Sequence, residues 1–264
     1  MPGAHPRPAD TEGIRLTLSD GVATLTLVNP KRKNAITMPM WGELAAAFRW
    51  AGGDEDVRVL VVTGEGDEFC SGADLSAPAE THWLKHLNHI NEGVTALHAV
   101  DCPTIARVDG IAAGAGLNLA LGCDLVIASD RSRFSEIFSR RGLSIDYGGS
   151  WFLTQRVGLH RAKELALLAP IIDAAEAERI GLVNKVVPVA ELDAAVGDWA
   201  TQLAAGPPVA LAQTKKLLDR AASSTLAEAL TAEAAAQSVN FGTNDTMEAI
   251  AAFMQKREPK YTGR

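Results

Sequence analysis

Two small-residue loops carry the clearest chemical signal in this 264-residue chain. The first is EFCSGADL, Glu68–Leu75, and the second is GIAAGAGLNLALGCDL, Gly110–Leu125. Glycine and alanine leave backbone N–H groups open to a close-lying ligand, where larger side chains would cover them. Taken singly, each loop reads more readily as an ordinary turn after a strand. Taken together, their N–H groups can converge on one oxygen and form an oxyanion hole, where one such donor is worth about 3–4 kcal/mol of transition-state stabilisation. A dinucleotide loop fits poorly, because G-x-G-x-x-G needs a third glycine where Leu119 stands, and no Walker lysine–hydroxyl pair follows.

Asp146, in GLSIDYGG, is the candidate for proton transfer. Moving a double bond along an acyl chain takes a proton off one carbon and returns it at another. One carboxylate can do both if it sits over the chain and water is kept out. An ordinary aspartate titrates near ~3.9, so a useful base must be raised by an apolar wall, for which Leu143, Ile145, Trp151 and Phe152 are the candidates. The competing reading of Asp146 is a turn or helix-cap residue before Gly148–Gly149. Asn118 cannot take a proton; it can orient a substrate group or brace the loop. His82, His86 and His89 stack at i, i+4 and i+7, but no fourth ligand or supporting acid accompanies them, so they read as a solvent or pocket-lip face with no metal.

These residues need a scaffold, and the hydrophobic pattern supplies an α/β one. IRLTLSDGVATLTLV, Ile14–Val28, alternates apolar and polar on both sides of Asp20–Gly21, a hairpin signal. VRVLVVTG, Val57–Gly64, is a continuous β-branched run, as in a strand covered on both faces. Further strands are expected at Thr104–Gly110, Asp124–Ser129 and Val183–Pro188, with helices at Met38–Ala51, Glu80–Val100, Gly116–Leu121 and Arg161–Ala169. After AAGPP, Ala204–Pro208, three alanine-rich helices are expected, the last capped by Thr243 or Asn244. Their single apolar stripes call for burial against something else, often another subunit. The division this implies is a flexible tail over 1–13, a core over 14–205 that binds and catalyses, and a helical oligomerisation region over 206–264.

Composition narrows the function classes. The net charge is −7, against the basic field of nucleic-acid binders. No apolar run approaches the ~20 residues of a membrane span, and MPGAHPRPADTEG has no apolar h-region of a secretory signal. Cys70, Cys102 and Cys123 are odd in number and lack metal-type spacing, which fits a reduced, cytoplasmic protein.

NPKRKNAI, FCSGADL, VDGIAAGAGLNLALGCDL, GLSIDYGGSWFL and FMQKREPKY occur in the order and spacing of the crotonase superfamily, the enoyl-CoA hydratases, isomerases and relatives. The resemblance runs from about Ile14 to Tyr261. It implies a spiral of ββα units with a C-terminal helical trimerisation region, a homotrimer or dimer of trimers, and an acyl-CoA substrate whose coenzyme A is part of the substrate rather than a separate cofactor. By position, the N–H groups of Ala73 and Ala115 resemble the pair holding the thioester carbonyl. Lys31, Lys33, Ser71, Asp74 and Leu75 resemble CoA-contacting positions. Phe253 and Lys256 resemble the terminal-helix pair that reaches a CoA, commonly a neighbour's. The basic run Lys31–Lys33 suits phosphates, although alone it reads equally as a solvated surface.

The chain departs from the hydratase pattern of two glutamates. The first position holds Asn118, and counting back four residues from Gly142 puts Phe138 at the second. Glu136 is two residues out of register: on a strand it shares Phe138's face, on a helix it points elsewhere. Asn118 with Asp146 looks most like the phenylacetate-pathway isomerase branch, which implies double-bond isomerisation with Asp146 as the proton shuttle. The alternatives are a hydratase adding water to trans-2-enoyl-CoA with another carboxylate, a nucleophilic Asp146 as in aryl-CoA dehalogenases, and an inert acyl-CoA-binding trimer.

Overall fold

The structure is a computed structural model that describes residues 6–76 and 82–264. In chain order it runs β1 (Ile14–Ser19), β2 (Val22–Leu27), α1 (Met38–Gly53), β3 (Val59–Gly64), α2 (Trp83–His98), β4 (Thr104–Val108), β5 (Ile111–Ala113), α3 (Ala115–Leu121) and β6 (Leu125–Ser129). It continues through β7 (Arg133–Ser135), α4 (Gly149–Leu168), β8 (Ile172–Asp173), α5 (Ala174–Arg179), β9 (Lys185–Val187), α6 (Leu192–Ala204), α7 (Pro208–Ala221), α8 (Leu226–Phe241) and α9 (Asn244–Gln255). The larger sheet has the order β1-β2-β3-β4-β6-β9, and a second sheet joins β5, β7 and β8.

The hairpin forms as its alternation demands. Asp20 and Gly21 adopt φ of 51° and 78°, the left-handed turn that matches strand twist, and Ile14 pairs with Leu27 through to Ser19 with Val22. β3 runs parallel between β2 and β4, and all six of its residues are buried. Its continuous apolar run is used on both sides. Leu60 and Val62 join the main core with Trp41, Leu44 and Phe48 of α1, whereas Val59 and Val61 pack with Leu192 and Val196 of α6.

Several elements differ from the sequence-based expectation. The second sheet was not foreseen, because strands of two and three residues are too short to show a period. α5 and α6 were not anticipated either. α4 begins twelve residues before the expected Arg161, at Gly149, and bends at Gly158, whose φ of 74° and ψ of 162° are not helical. α2 starts at Trp83, and residues 80–81 of the expected Glu80–Val100 lie outside the described residues. The segment before β1 is bonded to the body: Arg7 donates to the Leu16 carbonyl at 2.6 Å, and Asp10 accepts from the Leu16 N–H at 2.8 Å.

α7 is tied to the core by Lys215–Asp124 at 2.9 Å and Lys216–Asp101 at 2.6 Å. α8 opens with a reciprocal cap, Thr225 accepting from the Glu228 N–H while Glu228 accepts from the Thr225 N–H, an arrangement worth about 1 kcal/mol. Thr243, rather than Asn244, caps α9. Beyond these ties the helices present apolar side chains outward, including Leu226, Phe241, Met247, Phe253 and Met254. Among the described residues no helix is long and apolar enough to cross a membrane.

Candidate active site

The chain leaves β3 and reaches Cys70–Asp74, which is stitched in place through its main chain. Cys70 donates to Ile111 O at 2.9 Å, Ser71 to Lys33 O at 2.9 Å, and Asp74 to Ile36 O at 2.9 Å, while Gly72 O accepts from Ile36 N at 2.8 Å. The second loop, between β5 and α3, is fixed by Gly114 donating to Ser135 O at 2.9 Å. The two loops touch. A Cβ on Gly72 would lie 2.9 Å from Ala113 O and 3.7 Å from Ala115 N, and one on Gly116 would strike the Cys70 carbonyl. Gly72 also adopts φ 104°, which L side chains rarely reach. Among the described residues no hydrogen bond uses the N–H of Ala73 or Ala115, and both alanines line one cleft of about 700 Å³. Two unused donors on adjoining, braced loops are what an anionic oxygen needs.

Asp146 lines the same cleft, with Phe138, Leu143 and Ile171. It is half-buried, belongs to no ion pair among the described residues, and burial pushes its carboxyl up to about 6. Its Oδ1 has no hydrogen-bond partner among the described residues. The expected apolar wall is rearranged. Leu143 lines the cleft, but Trp151 turns to His98 and Phe152, with ring centroids 5.4 and 5.3 Å away. Phe138, at the hydratase acid position, takes up that role. The turn after Asp146 is set by Tyr147, which holds φ 49° and packs its buried ring 5.0 Å from Trp41.

Asn118 does not face the cleft. It is fully buried in α3, and its Nδ2 donates to the Asp146 carbonyl at 2.9 Å, alongside the Gly149 N–H at 2.9 Å. Of the two roles open to it, the structure assigns the brace. Behind it lies a residue that sequence reasoning discounted. Glu136, at the start of the short turn Ile137–Arg141, is 1% exposed, and neither carboxylate oxygen has a hydrogen-bond partner. Burial pushes its carboxyl up to about 8; the adjacent Asn118 side chain opposes the shift and Asp146 adds to it. The available signal was an acid placed directly after β7 and flanked by Phe134, Ile137 and Phe138. Strand and helix periods give its direction only within those elements, whereas Glu136 begins a 3₁₀ turn and follows neither.

The expected CoA positions divide. Ser71, Asp74 and Leu75 line the cleft, and so does Arg32. The Ser71 hydroxyl donates to Arg32 O at 2.9 Å, and the Ser76 hydroxyl and N–H hold the Asp74 carboxyl below its ordinary range. Lys31 and Lys33 are exposed beside it on the turn after β2, with Lys33 2.8 Å from Glu68. Phe253 and Lys256 stand exposed at the end of α9 and do not line this cleft. The three histidines are otherwise engaged: His82 caps α2 by accepting from Leu84 N at 3.2 Å, His86 meets Trp83 edge-on at 5.4 Å, and His89 lies 3.7 Å from Glu92.

Residues 17–264 match the family described as enoyl-CoA hydratase/isomerase. The chain belongs to the enoyl-CoA hydratase/isomerase family. It is 39% identical to a probable enoyl-CoA hydratase of Rhodobacter capsulatus over 95% of its own length and 98% of that protein's. It is 36% identical to a 1,2-epoxyphenylacetyl-CoA isomerase of Escherichia coli, over 96% and 99%. Among solved structures, a putative enoyl-CoA hydratase from Thermobifida fusca in complex with CoA aligns with a TM-score of 0.82 and 39% identity, covering 88% of this chain and 93% of that one. The protein is thus an acyl-CoA enzyme with the α/β crotonase-like fold, and relatives of similar identity are named for both of the family's reactions.

Proposed function

We propose that this enoyl-CoA hydratase/isomerase family member shifts a double bond within an enoyl-CoA or aryl-acetyl-CoA derivative. The observation that carries the reading is Asp146, the cleft-lining carboxyl that burial raises and that has an oxygen without a hydrogen-bond partner among the described residues. Asp74, at the rim, is instead held by Ser76, and Phe138 stands where a second acid would. The thioester carbonyl lies between the N–H groups of Ala73 and Ala115. Asp146, ionised at neutral pH, takes a proton from C2 of a 3-enoyl thioester. The electrons of that C–H bond form an enolate whose oxygen the two N–H groups hold. The now neutral Asp146 gives the same proton to C4, and the double bond comes to rest between C2 and C3. Asn118 takes no proton; it keeps the Asp146 main chain in place. No cofactor enters, since coenzyme A arrives as part of the substrate.

The test is conversion of 3-enoyl-CoA to the conjugated 2-enoyl-CoA, with solvent-deuterium exchange at C2 and C4. Loss of both in Asp146→Asn is the expected result; an unaffected variant ends the assignment. Hydration of a trans-2-enoyl-CoA is the second reading, favoured by the name of the Rhodobacter relative and by the buried Glu136 beside Asn118. Rapid hydration of crotonyl-CoA, lost when Glu136 is changed, would establish it.

The coenzyme A of a bound substrate is read onto Lys31, Lys33, Ser71, Asp74 and Leu75, with the Thermobifida complex as support. The outward apolar residues of α8 and α9 support self-association as a trimer or a dimer of trimers, in which Phe253 and Lys256 of one copy reach the CoA of the next. A reducing, cytoplasmic setting is in keeping with three free cysteines, the buried Cys70 and Cys123 having thiols pushed up to about 12.

A further inference from the structure

Five residues around the Asp146 turn carry buried polar atoms without hydrogen-bond partners: Asn118 Oδ1, Ser135 Oγ, both carboxylate oxygens of Glu136, Asp146 Oδ1 and Tyr147 OH. Buried polar atoms are nearly always paired, so this concentration calls for a role. Two carboxyls are among them, and Asn118 links them, lying beside Glu136 and donating from Nδ2 to the Asp146 carbonyl at 2.9 Å. Among the described residues neither carboxyl has an ion-pair partner.

We propose that Glu136 is a positioning residue that retains a proton while Asp146 is ionised, so that the pair holds a single negative charge and Asn118 stays locked onto the Asp146 main chain. The proposal rests on the reading of Asp146 as the proton carrier. Its physical basis is that two neighbouring carboxyls, Glu136 buried and Asp146 half-buried, with no cation paired to either among the described residues, cannot both ionise cheaply. A neutral Glu136 is also a donor, and the adjacent Asn118 side chain carries an acceptor, Oδ1, that has no partner among the described residues. Once Glu136 ionises it becomes an acceptor only and draws the amide hydrogens of Asn118 to itself, loosening the bond that holds Asp146.

The groups facing the pair agree with this assignment. From the turn before α4, Asp146 opposes negative charge on Glu136; the phenol of Tyr147, next in the chain, and the thiols of Cys70 and Cys123 near that phenol bring no compensating positive charge. Arg141 and Arg32 line the cleft from its exposed rim and pair with neither carboxyl. Burial raises both acids, Glu136 the further of the two, to about 8 against about 6.

The decisive experiment is infrared difference spectroscopy of the free full-length protein across pH, without substrate. Wild type should show the carbonyl stretch of a buried protonated carboxylic acid at pH 7, and Glu136→Gln should lack it. In Asp146→Asn that band should vanish about one pH unit or more lower than in wild type, because the neighbouring charge is gone. Isomerisation kinetics add a second readout: kcat of wild type should fall above pH 8, and Glu136→Gln should keep kcat at pH 7 within about threefold while losing that fall. Absence of the band in wild type, or a Glu136→Gln variant with an unchanged alkaline limb, overturns the proposal. So does a folded Glu136→Gln that is inactive at every pH, since Glu136 would then be transferring the proton itself. If Asp146→Asn remains active, the isomerase reading fails, while the infrared arm still decides whether the two carboxyls are coupled.

Discussion

The two sides of the cleft are built on opposite principles. On the oxyanion side every polar group in use belongs to the main chain, and its neighbours are tied by backbone bonds of 2.8–3.0 Å. On the carboxyl side the polar groups are side chains, buried and in large part unpartnered. The first arrangement is fixed dipoles, which keep their sign at any pH and need no reorganisation during reaction. The second is titratable, and its state depends on which carboxyl holds a proton. Stabilising an oxygen anion requires the former; carrying a proton between two carbons requires the latter.

The contrast breaks most severely at Asp146. Asp146→Asn keeps the shape and removes the base, and kcat for isomerisation should fall about 10³-fold with little change in KM, measured by steady-state kinetics. On the opposite side, Gly72→Ala puts a methyl 2.9 Å from Ala113 O in a strained φ. A loss of about 10²-fold in kcat is expected with the pH profile unmoved, since only fixed dipoles are disturbed. Asn118→Asp sharpens the comparison by adding a third acid beside two. It should raise the Asp146 midpoint, so the acid limb of kcat/KM moves up from about 6 by about one unit and kcat drops about tenfold.

Stability should register the same asymmetry. The Glu136 carboxyl rises from 4.5 to about 8 on folding, so the folded state binds the extra proton. The stability this contributes is complete below about 4.5 and is lost as pH climbs through 8. Glu136→Gln has no charge to bury, and its Tm at pH 9 should exceed that of wild type by several degrees, with little difference at pH 5. The smallest effect belongs outside both halves. Phe253→Ala should raise KM about threefold and leave kcat alone, as expected of a residue that contributes binding energy equally to ground and transition states.

Much of this site was legible because its requirements are local. Glycine at 72, 114 and 116 marks loops that pass close to one another, and a continuous apolar run marks β3 as doubly covered. Leu143 and Asp146 were readable as an acid in an apolar setting. What escaped depended on direction rather than type. Whether Asn118 faced substrate or scaffold turned on the placement of Gly149, and Trp151 left the wall for His98 because α4 begins there and carries it away. Glu136 was passed over because a 3₁₀ turn follows neither of the periods by which side-chain direction is inferred. The second sheet and α6 required knowledge of which segments meet in space, which strands of two or three residues do not announce.

Gly149 has a bearing on how this enzyme can change. A Cβ added there would collide with the Asn118 amide, so the two positions share one small volume. A glutamate at 118, one methylene longer than asparagine, has that same helix start in its way. Restoring a two-glutamate catalyst would therefore ask for a shifted α4 as well as two exchanged side chains. A lineage or a designer adding those two acids to this chain would have to find room at Gly149 as well as meet the electrostatic cost.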